Sequence, residues 1–236
     1  MSNEINRLTA PRSWPIRRKA HQWITKPSPG AHSIDNSVPV TVVVRDLLKI
    51  CNTAAEVKRI VSNRDMLVDG KIVRDTRKGI GLMDVVSFPK NNSYYRMMVN
   101  TRGKFSLVPI SEEKSSWKLC RIDNKTIVSG GRTQLNLHDG RNIITDSNEY
   151  NTGDVLKIEI PSQNILEVYK MEQGNLALIT SGSNVGKVEA IDEIIFRRSS
   201  SDNIVNFENG SSTTKSNVFV IGNKVPEIEL PEEATI

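Results

Sequence analysis

The spacing of hydrophobic residues changes twice along the chain, and each change predicts a different kind of structure. Residues 1–40 show no periodicity and carry five prolines, so we expect an extended arm there rather than a helix or strand. Hydrophobic residues then fall at helical spacing near position 57, and from about Phe105 onward they form short runs between turn residues. The pattern predicts a small helical domain followed by mainly β structure.

The segment from Thr53 to Asp75 begins with the signature of a helix start. Thr53 and Glu56 are spaced as a capping box, in which each side chain bonds the other residue's backbone amide. A helix is therefore expected from about Ala54, with Lys58, Arg59 and Asn63 facing outward. The residues at inward spacing are Ala54, Val57, Ile60, Val61 and Arg64.

The same segment ends with a hairpin signal. Asp69-Gly70 lies between the apolar runs 66–68 and 72–73, and this dipeptide favours a tight type I′ turn. Upstream, VVVRDLLKI from Val42 predicts a second short helix or strand, with Arg45 and Lys49 on one face. We therefore expect two small helices packed on a hairpin.

The second half of the chain reads as short strands. Six runs, at residues 116–122, 125–128, 133–137, 142–145, 154–160 and 165–170, are separated by turns such as 129–131 and 139–140. Residues 173–225 add two strands around a glycine-containing loop and a closing strand at 217–222. Both patterns predict antiparallel sheet in small barrels, and the acidic, proline-broken tail is expected to be irregular.

Together these patterns predict an α+β, multi-domain chain. A small α/β-hairpin domain is followed by two mainly-β small barrel domains. The expected divisions are a basic arm at 1–40, the helix-hairpin domain at 41–105, a central β domain at 106–172, a further barrel at 173–225 and the acidic tail at 226–236.

Composition restricts the class of protein. Hydrophobic residues make up 37% and charged residues 25%, which is typical of a soluble globular chain. No run approaches the roughly 18–20 apolar residues of a membrane span, and the N-terminus lacks a signal-peptide core, so a cytoplasmic protein is expected. Cys51 and Cys120 are too few and too distant for a disulfide framework or zinc site and are expected to be packing thiols.

Charge is distributed unevenly along the chain. Residues 1–30 hold six Lys and Arg against one Glu, and residues 40–110 hold thirteen against six acidic residues. Residues 111–236 hold thirteen against nineteen. A charged face is often merely solvated, but an excess this long favours a polyanionic partner for the front half.

Two of the three tryptophans lie in the basic arm. Trp14 and Trp23 are surrounded by cations, and indoles in such a setting can stack on RNA bases while the cations meet phosphates. The alternative is that both side chains pin the arm to the neighbouring core. Both interpretations remain open from the sequence.

Catalytic motifs are weak. GSNVGK at Gly182 to Lys187 resembles a phosphate-binding loop, but Ser181 replaces its first glycine and Val188 replaces the Ser or Thr that would reach Mg²⁺. The loop can still bring backbone amides and Lys187 to RNA, or it can be an ordinary turn with positive φ at its glycines. The three histidines show no metal-ligand spacing, and no carboxylate pair suggests acid-base catalysis.

Several stretches resemble one family. APRSWPIRRKAHQWITKPSPGAHS, from Ala10 to Ser33, closely resembles the N-terminal signature of the e-type S-four ribosomal proteins. Residues 53–75 resemble the S-four RNA-binding domain, residues 177–191 resemble a KOW motif, and SNVFVIG resembles the family's closing strand. Two departures are Arg64, where a small residue is usual, and the Ser- and Asn-rich segment 197–215.

The resemblance implies a structural component of the small ribosomal subunit that binds folded rRNA and neighbouring ribosomal proteins. It implies ribosome-bound localisation, with no catalysis, cofactor, metal, membrane or small-molecule substrate. The candidate rRNA-binding residues are Arg7, Arg12, Trp14, Arg17, Arg18, Lys19, His21, Trp23, Lys26, Arg45, Lys49, Lys58, Arg59, Arg64, Lys71, Arg74, Arg77, Lys78, Gly182, Gly186 and Lys187.

Two alternatives stay open at this point. An RNA-modifying enzyme can carry an S-four-like domain, although residues 111–236 show no catalytic loop pairing Asp with Arg. A KOW-type transcription elongation factor would bind polymerase instead of the small subunit.

Overall fold

The computed structural model describes residues 2–147, 149–199 and 201–231 of the chain. Backbone contacts divide it into two compact units, which are described separately. The first contains the chain up to Met98 together with Lys104–Lys118, and the second contains Val99–Gly103 and the chain from Leu119 onward. Both are mainly β with few helices, so the coarse α+β assignment holds.

The first unit is built from short elements. Its strands are β1 (Glu4–Asn6), β2 (Trp23–Thr25), β3 (Ser37–Pro39), β4 (Leu67–Val68), β5 (Lys71–Ile72), β6 (Gly79–Gly81), β7 (Val85–Phe88), β8 (Ser93–Val99) and β9 (Phe105–Ile110). Its helices are α1 (Val40–Val42), which continues as a π-helical turn (Val43–Leu47), α2 (Ala54–Ser62) and α3 (Glu112–Ser115). The main sheet has the order β5-β4-β7-β8-β9, while β1 pairs with β2 and β3 with β6.

The arm is not extended as the prolines suggested. β1 and β2 form an antiparallel pair, and β3 pairs with β6. Trp14 is completely buried, and its indole Nε1 donates to the Ser37 carbonyl at 2.7 Å. The prolines lie mainly between these short strands, so they do not prevent the arm from folding onto the rest of the unit.

The helix-hairpin prediction is confirmed in its local details. Thr53 Oγ1 accepts from the Glu56 amide at 3.3 Å, the Glu56 carboxylate accepts from the Thr53 amide, and α2 starts at Ala54. Asp69 and Gly70 have φ of 51° and 69°, as a type I′ turn requires. The apolar stripe is narrower than predicted, because Val57 and Val61 are buried while Ala54 and Arg64 are exposed.

The segment upstream of α2 is helical, but only as far as Leu47. Lys49 has a φ of 55°, so it lies beyond the helix in a left-handed conformation. The prediction that Arg45 and Lys49 share one helix face is therefore wrong.

The second unit contains two five-stranded sheets. The first, with the order β12-β11-β10-β13-β14, comprises β10 (Trp117–Ile127), β11 (Thr133–Leu137), β12 (Asn142–Thr145), β13 (Val155–Glu159) and β14 (Ile165–Tyr169). The runs at 116–122 and 125–128 are one strand, β10, interrupted by a register shift between Ile122 and Asn124. Cys120 is buried in the core below this sheet, as expected of a packing thiol.

The other sheet has the order β18-β17-β16-β15-β19. It comprises β15 (Leu176–Ile179), β16 (Val188–Ile195), β17 (Ile204–Phe207), β18 (Ser212–Thr214) and β19 (Val218–Gly222). Of the predicted acidic tail, residues 232–236 lie outside the described part of the chain. Among the described residues, no helix combines the length and hydrophobicity needed to span a membrane.

Candidate nucleic-acid interface

The first unit contains a basic cleft of about 570 Å³ between the arm and the residues around the first helical segment. Its cationic or titratable basic side chains come from three separate stretches of sequence. They are Arg7, Arg17, His21, Arg45 and Lys49, and we call this set the basic cleft. Asp46 is the only carboxylate among the described residues that line it.

Folding of the arm places the first three of these residues. Arg7 begins a 3-10 turn directly after β1, and its amide donates to the Gln22 carbonyl at 2.8 Å. Arg17 and His21 lie in the loop between β1 and β2, so pairing of the two strands brings them back toward Arg7. A free, extended tail would not produce this convergence.

The hydrogen bonds of the cleft leave it positively charged. Arg45 makes a bidentate pair with Asp46, and this bond raises the pKa of Arg45 despite partial burial. Arg7 is only 6% exposed; its Nη1 donates to the Arg17 carbonyl at 3.0 Å, and its Nε has no hydrogen-bond partner among the described residues. With Asp46 matched to Arg45, the charges of Arg7, Arg17 and Lys49 remain uncompensated within the cleft, which suits an anionic ligand.

A second group of cations lies on and after α2. Lys58 and Arg59 are exposed on the helix, Arg64 follows its end, and Lys71 and Arg74 belong to the hairpin strand β5 and the residues after it. Within the described residues, these five side chains make no hydrogen bond and no ion pair. They are therefore available to contact a ligand in solution.

Three of the candidate rRNA-binding residues make structural contacts within the protein. Burial of Trp14 excludes it from base stacking, so the pinning alternative is correct for this tryptophan. The Arg18 guanidinium donates to the carbonyls of Leu8, Ala10 and Pro11 at 2.7–3.1 Å, which ties the arm together. Arg77 binds Asn3 and lies 3.5 Å from Asp75.

The remaining arm candidates keep accessible side chains. Trp23 is 51% exposed on β2 and can still stack. Arg12 and Lys19 are exposed, and Lys26 is half-buried. Lys78 lies outside the arm, in the helix-hairpin domain; it is half-buried and interacts with other residues of the protein. The structure brings none of these four cations into the basic cleft.

The glycine loop belongs to the second unit, between β15 and β16. Gly182 and Gly186 both have positive φ, of 99° and 79°. A Cβ on Gly186 would clash with the backbone of Asn100, so a glycine at this position allows close packing of the two backbone segments. Lys187 is exposed, with Nζ 3.1 Å from Asn184 Oδ1.

The described residues of the second unit also include a cluster of Cys120, His138 and Asp139 with ligand atoms close together. These atoms are already engaged: Cys120 Sγ donates to Asp139, which pairs with Arg141 at 3.1 Å, and His138 Nδ1 accepts from the Arg121 amide. The arrangement favours a hydrogen-bonded core over a metal centre.

Sequence reasoning missed one exposed group in the second unit. Phe196, Arg197 and Arg198 follow the end of β16, and all three are exposed. The available signal was an aromatic residue before two adjacent arginines, at the start of the Ser- and Asn-rich segment.

Comparison with family models identifies two matched regions. The model described as "Ribosomal family S4e" matches residues 91–165, and the model described as "RS4NT (NUC023) domain" matches residues 1–35. The second match covers the stretch that positions Arg7, Arg17 and His21.

Similar proteins extend the match over nearly the whole chain. "Small ribosomal subunit protein eS4" of Methanothermobacter thermautotrophicus is 44% identical over 231 residues, covering 96% of this chain and 95% of that protein. The protein of the same name from Methanocaldococcus jannaschii is 42% identical, with 96% of each chain covered. The crystal structure of the 30S ribosomal protein S4e from Thermoplasma acidophilum superposes with a TM-score of 0.72 at 39% identity, covering 80% of this chain and 96% of that one. With identity of this level over nearly the full length, the chain belongs to the S4e family of ribosomal proteins.

Proposed function

We propose that the protein is a structural component of the small ribosomal subunit, where it binds folded rRNA with the basic cleft and the exposed cations of α2 and the hairpin. The observation that carries the proposal is a cleft whose described lining contains one carboxylate, Asp46, and five basic side chains: Arg7, Arg17, His21, Arg45 and Lys49. Relatives named as small-subunit ribosomal proteins support the setting. Ribosome-bound, cytoplasmic localisation and contacts with neighbouring ribosomal proteins follow from it.

The chemistry of this interface is phosphate recognition. Guanidinium groups form paired, charge-assisted hydrogen bonds with phosphate oxygens, and each neutralised phosphate releases condensed counterions. The cleft positions its cations through backbone hydrogen bonds of the arm, so their arrangement can match the shape of a folded RNA backbone. Trp23 adds an exposed ring for stacking on an unpaired base.

The proposed domain organisation follows the sheets. The arm at 1–40 and the helix-hairpin domain at 41–105 form the RNA-binding part, followed by a central β domain at 106–172, a KOW-type barrel at 173–225 and the acidic tail at 226–236. The two five-stranded sheets of the second unit support a division between the central and KOW-type domains.

Removing two accessible cations from the cleft tests the proposal. Arg17 and Lys49 are exposed and, among the described residues, their side chains have no hydrogen-bond partner, so Arg17→Gln/Lys49→Gln should leave the fold intact. Binding of the full chain to small-subunit rRNA is measured across a series of salt concentrations. We expect weaker binding and a slope of log affinity against log salt that is smaller in magnitude by about 1.4 to 1.8.

The matched control removes the same charge from the second unit. Lys170→Gln/Lys224→Gln alters two exposed lysines there and should leave the slope close to that of the wild type. If both double variants change the slope equally, binding depends on net charge alone and the cleft has no special role. Deleting residues 1–30 is a poor test, because it would remove the buried Trp14.

The two alternative functions lack support. The matched relatives are named as small-subunit ribosomal proteins, and the family is one of structural proteins without catalysis. No comparison favours an RNA-modifying enzyme or an elongation factor.

A further inference from the structure

We infer that the tip of the β16–β17 hairpin is a second RNA contact, in which Phe196 stacks on an unpaired base while Arg197 and Arg198 bind the flanking phosphates. This site lies in the second unit, whose residues carry more acidic than basic side chains. The inference rests on the proposed function, since it requires that the protein binds RNA.

These residues lie directly after the last paired residue of β16, where the chain leaves the strand. Ile195 pairs with Ile204, so residues 196–199 and 201–203 belong to the connection between the two strands. The described part of this loop is fixed at its base: the Arg197 amide donates to Asn203 Oδ1 at 3.0 Å, and the Asn203 carbonyl accepts from the Lys215 amide at 2.8 Å. These hydrogen bonds hold the backbone in place at Phe196 and Arg197.

Exposure of Phe196 is the first sign of a ligand. Its side chain is 74% exposed, and the neighbouring Ile195 is 40% exposed. An exposed phenylalanine forgoes the stabilisation that its burial would provide, so packing within the chain does not account for it. A flat ring beside cations is the arrangement that proteins use for sequence-tolerant base stacking.

Charge selects RNA over a protein as the occupant. Arg197 and Arg198 are exposed and form no ion pair with any described residue, in contrast to Arg121, Arg141 and Lys157 of the same unit, each of which pairs with a carboxylate. The carboxylates nearest to these arginines in the sequence are Asp192 and Glu193 on β16 and Asp202, which accepts from Ser216 Oγ. Two adjacent unpaired guanidiniums fit the closely spaced phosphates of an RNA strand.

Binding to a 12-nucleotide oligouridylate, and to an RNA duplex of the same length, tests the stacking. Phe196→Ala in the full chain should weaken binding of the single strand about 5- to 150-fold and change duplex binding little, because duplex bases are not available to the ring. Phe196→Leu keeps an apolar side chain without the ring and should also weaken single-strand binding. Ile127→Ala, at another exposed apolar residue of the unit, serves as the control and should have no effect.

The arginines are tested by salt dependence. Arg197→Ala/Arg198→Ala should reduce the magnitude of the single-strand salt slope by about 1.4, whereas Lys170→Ala/Lys224→Ala should not. If the Phe196 and arginine variants bind the single strand like the wild type while Arg17→Gln/Lys49→Gln weakens rRNA binding, the hairpin contact is refuted and the proposed function stands. If the hairpin variants bind the single strand like the wild type and Arg17→Gln/Lys49→Gln also binds rRNA like the wild type, both the hairpin contact and the proposed function are contradicted.

A crosslinking experiment identifies the neighbour in the assembled particle. With p-benzoylphenylalanine in place of Phe196, irradiation of isolated small subunits should join the protein to rRNA. Crosslinks to protein alone, or none in subunits that contain the variant, would overturn the inference.

Discussion

Arg64 occupies a backbone position that usually belongs to glycine. It follows the C-cap Asn63 of α2 with a φ of 61°. The Asp65 amide donates to the Ile60 carbonyl at 3.2 Å, and the Arg64 amide donates to the Val61 carbonyl at 3.1 Å. These two hydrogen bonds define a Schellman motif. A left-handed conformation costs an L-residue with a side chain roughly 1 to 2 kcal/mol, so the arginine is retained here against local preference.

Replacing this arginine should separate stability from binding. Arg64→Gly relieves the left-handed strain, and after the entropy of glycine in the unfolded chain is subtracted, we expect a gain of roughly 0.5 to 1 kcal/mol in the free energy of unfolding. The same change removes an exposed cation and should weaken rRNA binding. Urea unfolding and binding assays measure the two effects.

The alanine variant is the control for this position. Arg64→Ala loses the charge but keeps the strained backbone, so it should weaken binding as the glycine variant does, without the gain in stability. A glycine variant that binds rRNA as tightly as the wild type would mean that Arg64 contacts no phosphate.

Individual residues differ in how well the sequence predicted them. Thr53 and Glu56 form their capping box within four residues, so a local pattern was sufficient. Trp14 donates a hydrogen bond to Ser37, 23 positions along the chain. The Arg18 guanidinium donates to carbonyls seven to ten residues away, including that of Ala10 at 2.7 Å. Such partners depend on the tertiary fold, and a lone sequence pattern does not distinguish a structural arginine from an available one.

Elements of the first unit are joined by a buried charge network. Lys118 belongs to the first unit, although β10 continues into the second. It is fully buried, and its Nζ lies 2.8 Å from both Asp69 Oδ2 and Asp84 Oδ1. Asp69 belongs to the β4–β5 turn, and Asp84 precedes β7 and also bonds His32 of the arm at 3.1 Å. One lysine thus fixes the hairpin turn, the arm and the strand β7 relative to each other.

The two carboxylates of this network are not equivalent. Burial and the charge of Asp84 raise the pKa of Asp69, and Lys118 offsets this only in part. Burial also acts to raise the pKa of Asp84, but the charges of Lys118 and His32 hold it well below its usual range. Asp84 is therefore the carboxylate whose ionised form the fold stabilises.

We expect opposite pH dependences for the two asparagine variants. Because folding lowers the pKa of Asp84, its ionised form contributes stability that is present above about pH 4 and lost as pH falls. The free energy of unfolding of Asp84→Asn should therefore fall furthest below that of the wild type at neutral pH, by roughly 3 kcal/mol. A raised folded pKa costs stability as pH rises above about 4, so the deficit of Asp69→Asn should shrink toward neutral pH. Urea unfolding from pH 3 to 7 measures both trends, and parallel pH profiles for the two variants would contradict the asymmetry.

Elements were predicted where their signals are local. The Asp69-Gly70 turn and the strands β11 to β14 followed from turn residues and short apolar runs. The unity of β10 was missed because its register shift between Ile122 and Asn124 interrupts the alternation that marks a strand. The strands β7 and β8 were not predicted. Most of their residues are buried on both faces of the sheet, and polar residues interrupt the apolar runs, so hydrophobic and polar residues alternate only weakly.

At the scale of the whole molecule, charge composition locates the basic region of the chain but not its geometry. Residues 1–30 and 40–110 hold the positive excess, and the basic cleft draws on both stretches. The folded arm is what turns a scattered excess into a concave site, and this depends on β1–β2 and β3–β6 pairing that no local pattern announced. In the anionic second half, Arg197 and Arg198 at one hairpin tip form no ion pair with the residues that the structure describes.

This distribution predicts which lysines the assembled particle protects. If the first unit lies against rRNA, Lys49, Lys58 and Lys71 should react severalfold more slowly with an amine-acetylating reagent in isolated small subunits than in the free chain, because phosphates cover their ammonium groups. Lys170 and Lys224 of the second unit should change less, and they serve as internal controls in the same mass spectrum. Equal reactivity of Lys49, Lys58 and Lys71 in both states would mean that these lysines face solvent in the assembled particle. The basic cleft would then have no phosphate ligand, and its excess of positive charge would need another explanation.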